Sequence, residues 1–101
     1  MTLIQIRQTR NSMNRVVLVT TKGCEACEIM KNSINQAIAL TKKTIDFEVI
    51  DFRQLAKDFI RVNNIKDFPT TVMYRNNVKT RKEIGTRPYI VVLRWFDIDF
   101  K

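Results

Sequence analysis

A chain of 101 residues, 45% hydrophobic and 28% charged, has the composition of one globular domain, 1–101, with enough apolar mass for a single core. Only two Gly and two Pro argue against linkers or low-complexity segments. The net charge of +8 raises a nucleic-acid partner, but the 18 basic residues are spread from Arg7 to Lys101 and only residues 75–87 concentrate them. No RNA-recognition aromatic pattern, zinc finger or helix-turn-helix accompanies that charge, so a solvated basic surface or charged edge strand is expected and nucleic acid is not.

In chain order, residues 3–7 alternate apolar and polar, which suggests an edge strand, and Asn11-Ser12-Met13-Asn14 is rich in turn formers. The first seven residues hold no long apolar core, so neither a secretory signal nor a membrane anchor is expected. The longest later apolar run, residues 89–93, is far too short to span a bilayer. These features point to a cytoplasmic protein without a membrane partner. In that compartment a lone C-x-x-C indicates catalysis or metal binding, because reducing buffers keep ordinary disulfides open.

Val16-Val17-Leu18-Val19-Thr20 is apolar almost throughout, as in a central strand covered on both faces. The turn Thr21-Lys22-Gly23 follows, and Cys24-Glu25-Ala26-Cys27 then opens an amphipathic helix that runs to Leu40. Its apolar stripe is Cys27, Met30, Ile34, Ala37 and Ile38, while Glu25 and Glu28 fall in the first turn. Cys24 is thereby placed where unpaired N–H groups and the helix dipole favour negative charge, which stabilises a thiolate.

Residues 44–52 read as a second strand with Ile45, Phe47, Val49 and Asp51 in phase, and the intervening crossover helix implies parallel pairing. Residues 53–62 read as a second helix through Leu55, Phe59 and Val62, ended by Asn63-Asn64. After the loop 65–70, residues 71–75 and 78–84 form an antiparallel hairpin across Asn76-Asn77, residue types that accept positive φ. Gly85-Thr86-Arg87-Pro88 introduces the last element, with Thr86 a candidate cap and Pro88 tolerable in a first helical turn. Propensity conflicts there: Tyr89-Ile90-Val91-Val92 favours strand, yet the spacing of Ile90, Leu93 and Phe96 allows a helix.

The order β-α-β-α-β-β-α, with C-x-x-C after the first central strand and Phe68-Pro69-Thr70 before the third, resembles the thioredoxin superfamily over residues 15–97. The resemblance is closest from Ile65 to Asn77, followed by Ile84-Gly85. It implies an α/β, thioredoxin-like three-layer α/β/α fold: a mixed central sheet in which a βαβ unit is followed by a β-hairpin and a C-terminal helix, residues 88–96. It also implies a monomeric thiol-disulfide oxidoreductase, thioredoxin- or glutaredoxin-like, whose only redox group is a Cys24/Cys27 disulfide and which needs no cofactor or metal. Cys24 would be the nucleophile and Cys27 the resolving thiol. Pro69 would be a cis-proline facing them, freeing the Phe68 backbone to pair with an extended partner. Lys22, Gly23, Phe68, Pro69, Gly85 and Thr86 would form the contact surface for disulfide-containing proteins or low-molecular-weight disulfides, with a reductase or glutathione as electron donor.

Three departures from the family pattern bear on mechanism. Glu25-Ala26 replaces the usual Gly-Pro, Lys22-Gly23 replaces the preceding aromatic, and Leu18 stands where a buried Asp is usual. Leu18 cannot accept a proton from Cys27. Lys22 lowers and Glu25 raises the tendency of Cys24 to stay protonated, a balance that predicts a modest depression from the free value of about 8.5. A zinc site fails on ligand count, since two Cys and no His fall short of four ligands within one chain. The remaining alternative is a binding module that uses the basic 75–87 segment on an acidic partner or nucleic acid, with the cysteines not catalytic.

Overall fold

The computed structural model of the chain describes residues 13–101. The strand expected over residues 3–7, and Asn11 and Ser12 of the expected turn, lie outside the described residues. From there the elements are β1 (Asn14–Thr20), α1 (Glu25–Leu40), β2 (Asp46–Asp51), a 3₁₀ turn (Phe52–Gln54), α2 (Lys57–Val62), β3 (Thr70–Arg75), β4 (Val78–Ile84) and α3 (Tyr89–Asp99). The four strands form one mixed sheet in the order β2-β1-β3-β4. β1 pairs parallel with β2 and antiparallel with β3, and β3 pairs antiparallel with β4.

β1 is central because Val16 to Val19 can be buried on both faces. Alternate residues serve two clusters. Val16 and Leu18 join Met73, Met30, Ile34 and Ala37 of α1, and Val92, Trp95, Phe96 and Phe100 at the chain's end. Val17 and Val19 join Ile65 and Val72, with Phe59 and Ile60 of α2 against them. The sheet is therefore sandwiched between α1 and α3 on one side and α2 on the other. Each fully buried apolar side chain contributes roughly 1.5–3 kcal/mol from burial alone, so the two clusters dominate stability.

The conflict over residues 89–92 is resolved as helix. Val92, Trp95, Phe96 and Phe100 follow one another at helical spacing and all enter the first cluster, whereas a strand would send Val92 and Trp95 to opposite faces. The terminal helix runs beyond residue 96 to Asp99, and Phe100 stacks on Phe96 at 5.7 Å between centroids. Its N-cap is Pro88, without a side-chain cap, so Thr86 does not take the capping position.

The second helix is shorter than the 53–62 expected. The Asp51 carboxylate accepts from the Arg53 N–H at 2.8 Å and from its guanidinium at 2.9 and 2.8 Å, which closes a 3₁₀ turn. Leu55 and Ala56 are then extended, and helix resumes at Lys57. This break packs Leu55 and Phe59 on the second cluster but leaves Val62 66% exposed, outside the stripe assigned to it. The β2 strand is also trimmed at both ends, to Asp46–Asp51, and Val49 on it is exposed rather than core. Asn63-Asn64 ends α2, with Asn64 at φ +52. Asn76 and Asn77 take φ +53 and +67, the left-handed pair a two-residue hairpin requires.

Candidate functional site

The turn between β1 and α1 brings the chain out of the sheet at the carboxyl end of its central strand. Gly23 has φ +71 with open space around its missing Cβ, so backbone conformation and not crowding calls for glycine there. Cys24 is the N-cap of α1: its backbone is extended and its Sγ accepts from the Cys27 N–H at 3.1 Å. A sulfur at this point meets the orphan donors of a helix start and the positive end of its dipole. Glu25 and Glu28, both exposed, occupy the same first turn.

Cys24 and Cys27 form a disulfide with their Cα atoms 5.2 Å apart. The two ends differ in access. Cys24 is half-buried, whereas Cys27 is 2% exposed on the inner side of α1 with Met30 and Ile34. An open groove of about 410 Å³ runs beside the bond, lined by Thr20, Thr21, Gly23, Cys24, Glu25, Cys27, Glu28 and Val49. Of the catalytic and contact residues expected from the sequence only Gly23 and the two cysteines line it, together with Glu25, expected there to act on Cys24. Thr20, Thr21, Glu28 and Val49 were not foreseen as site residues; Val49 enters because parallel pairing sets it opposite Leu18, a register that no local pattern in the chain records.

The Phe68–Pro69 peptide bond is cis. The loop holding it is pinned at both ends: Thr70 Oγ1 donates to the Asp67 carbonyl at 2.5 Å, and the Gly85 N–H donates to the Pro69 carbonyl at 2.8 Å. Pro69 and Gly85 are thus brought together as the two motifs around the third strand suggest. The Phe68 ring is tilted against Phe52 at 4.9 Å and packs on the second cluster, so its side chain is largely committed to the α2 side. The Arg87 N–H donates to Met30 Sδ at 3.3 Å, which ties the Gly85–Thr86 turn to α1. Lys22, Gly23 and Thr86 are exposed, and Gly85 and Phe68 are half-buried.

The basic residues of 75–87 are largely engaged within the protein. Arg81 pairs with Asp99 at 2.7 Å and Glu83 at 2.9 Å and lies over the Trp95 ring at 5.2 Å. Hydrogen bonding to Asp99 holds its guanidinium above the usual range. Lys79 donates to Asn63 Oδ1 at 2.9 Å, Lys82 to the Asn64 carbonyl at 3.1 Å, Arg75 to the Lys101 carbonyl, and Arg87 to Glu83 at 3.4 Å and the Thr86 carbonyl at 2.8 Å. Among the described residues no group of three or more His, Cys, Asp and Glu could hold a metal ion, and no helix is long and apolar enough to cross a membrane.

No family model matches the chain, and no curated protein matches it. Solved structures do. A thioredoxin-2 described as a component of the malaria parasite protein secretion machinery has a TM-score of 0.74 at 15% identity, over 85% of this chain and 82% of its own. A mutant thioredoxin from Halobacterium salinarum NRC-1 has a TM-score of 0.77 at 11% identity, over 92% and 80%. Thioredoxin f from spinach chloroplast, in its short form, has a TM-score of 0.72 at 19% identity, over 89% and 79%. The chain is similar to these in backbone course.

Proposed function

The chain has a thioredoxin fold with a C-x-x-C disulfide at the start of its first helix, and from that premise we propose that it exchanges thiols and disulfides through Cys24 and Cys27. One observation carries the reading: two sulfurs at bonding distance differ in access, Cys24 half-buried at the N-cap and Cys27 2% exposed. In the reduced form the Cys24 thiolate attacks one sulfur of a partner RS–SR′. A Cys24–S–S–R bond forms, the partner's S–S bond breaks, and R′S⁻ leaves. The Cys27 thiol then loses its proton and attacks Cys24 Sγ, so that the intramolecular disulfide forms and RS⁻ departs. Two electrons pass from dithiol to partner, and the released thiolates take up protons from solvent. A reductase or glutathione thiol would restore the dithiol.

The accessible sulfur belongs to the attacking residue, and the helix start favours its charged form. Gly23 and Lys22 on one side, and Phe68, Pro69, Gly85 and Thr86 on the other, are proposed to receive the partner's chain as main-chain and apolar contacts. A reducing compartment such as the cytoplasm would keep the couple cycling. The internal pairing of Arg75, Lys79, Arg81, Lys82 and Arg87 supports this reading over a basic binding module.

Reduction of insulin disulfides with a chemical reductant tests it. Wild-type protein is expected to accelerate precipitation, Cys24→Ser to fall to the uncatalysed rate, and Cys27→Ser to accumulate a mixed disulfide. A wild-type rate equal to that of Cys24→Ser would refute the enzyme reading.

A further inference from the structure

Arg87 is the last residue before the α3 N-cap, Pro88, so its N–H lies outside the helical ladder, whose first bonds run from Val91 and Val92 to the Pro88 carbonyl. Pro88 has no N–H of its own and gives the helix no side-chain cap. The Arg87 donor is met from another element: it donates to Met30 Sδ at 3.3 Å, across 57 positions of sequence. Met30 is fully buried, one helical turn after Cys27 on the inner face of α1. A thioether is a weak acceptor, and here it serves a main-chain donor.

The turn that ends in Arg87 is held at its other end as well. The Gly85 N–H donates to the Pro69 carbonyl at 2.8 Å, so the turn hangs between the cis-proline loop and the helix that carries the disulfide. Gly85 takes φ +89, and the Arg87 guanidinium folds back on the Ile84 and Thr86 carbonyls at 3.2 and 2.8 Å. Those contacts and the ion pair to Glu83 at 3.4 Å are local, and they set the shape of the turn. Among the described residues, two hydrogen bonds tie residues 85–87 to elements other than β4, and only the one to Met30 reaches the helix of the cysteines.

We propose that Met30 is a positioning residue for partner recognition: by accepting from the Arg87 N–H it fixes the Gly85–Thr86 turn relative to the Cys24–Cys27 pair, so that a polypeptide seated on the turn presents its own disulfide to Cys24. The proposal rests on the redox reading above and on the turn as part of its contact surface. Fully buried, Met30 meets no partner itself and acts through the turn. A small disulfide with no chain to lay on the turn gains nothing from the bond, whereas a polypeptide disulfide loses alignment when the bond is removed. The thioether thereby favours disulfides carried on an extended chain over small ones.

The donor is a main-chain group, so the acceptor is the end to substitute, and Met30→Leu removes the sulfur while nearly conserving volume. Met73→Leu, the same exchange at a fully buried methionine of the same cluster, is the control. With insulin as substrate and dithiothreitol as reductant, Met30→Leu is expected to raise KM about fivefold, as loss of one hydrogen bond implies, and to leave kcat unchanged. Its single-turnover reaction with 5,5′-dithiobis(2-nitrobenzoate), a small disulfide without a polypeptide chain, should match that of wild type. Hydrogen exchange supplies a readout that needs no variant: the Arg87 amide of the wild-type protein is expected to exchange at least about tenfold more slowly than in an unstructured chain. The proposal is overturned by an unprotected Arg87 amide in the wild type, by an unchanged KM for insulin in Met30→Leu, by an equal rise in Met73→Leu, or by equal slowing toward the small disulfide. A wild-type rate no faster than that of Cys24→Ser toward both disulfides overturns the redox reading itself, an outcome set apart because the Arg87 amide keeps its protection.

Discussion

At the scale of single residues, the site depends on a few side chains whose surroundings oppose their ordinary chemistry. The Thr71 hydroxyl is fully buried without a partner, so Thr71→Val is expected to stabilise the disulfide form by about 1 kcal/mol. For a chain of this length that is a rise in Tm of roughly 4–8 °C, measurable by calorimetry. Leu18 makes the converse case. It is 0% exposed among Val16, Met73 and Phe96, so Leu18→Asp should not simply restore a missing acid. An unpaired carboxylate there is expected to lower the denaturation free energy by several kcal/mol, about 3 or more, read from the urea midpoint. At Gly23, φ +71 is the whole constraint, and Gly23→Ala is expected to lose about 1 kcal/mol by the same measurement.

At the scale of elements, two short-range devices decide where helices and strands begin. The Asp51–Arg53 turn ends β2 and separates it from α2. Hydrogen bonding to the Arg53 side chain and N–H lowers the Asp51 carboxyl from 3.8 to about 2. A carboxyl depressed on folding contributes stability that is complete above its unfolded value and fades as pH falls through its folded one. The turn is therefore expected to hold down to about pH 4 and open between there and about pH 2. Carboxyl NMR titration checks this, and Arg53→Ala should return Asp51 to the ordinary carboxylate range. On β4, Arg81 joins strand to terminal helix through Asp99, whose side chain is only 7% exposed. Removing the cation strands that carboxylate, so Arg81→Ala is expected to destabilise by about 2–3 kcal/mol in chemical denaturation, with little sensitivity to added salt.

At the scale of the whole molecule, the net charge of +8 coexists with a basic segment whose cations are tied to carbonyls, Asn63, Glu83 and Asp99. Lys22, two residues before Cys24, and Lys66, three residues before Pro69, remain exposed. We propose that the charge acts on partners at long range, by steering. Acidic disulfide peptides are expected to show a kcat/KM severalfold above that of matched basic ones at low ionic strength, converging near 0.5 M salt, where screening shortens to about one contact layer. Equal rates at low salt would remove electrostatic selection.

What the chain determined by itself was local and periodic. Four consecutive β-formers fix a central strand, a C-x-x-C at the head of an amphipathic stripe fixes a cysteine N-cap, Asn76-Asn77 fixes a hairpin, and the order of these motifs selects the three-layer arrangement. Each of these is decided by backbone conformation or by side-chain spacing over a few residues, so each is written into a short window of sequence. What only the tertiary structure decided was long-range. Helix in place of strand over 89–92 follows from packing Val92, Trp95 and Phe96 on one cluster. The break at Leu55–Ala56 follows from fitting that segment beneath the sheet. The groove wall at Val49 and the row that sets Thr71 beside Leu18 follow from strand register. Register is a relation between residues more than thirty positions apart, set by the burial of whole faces. The neighbours of each strand residue could therefore be known only once the sheet had formed.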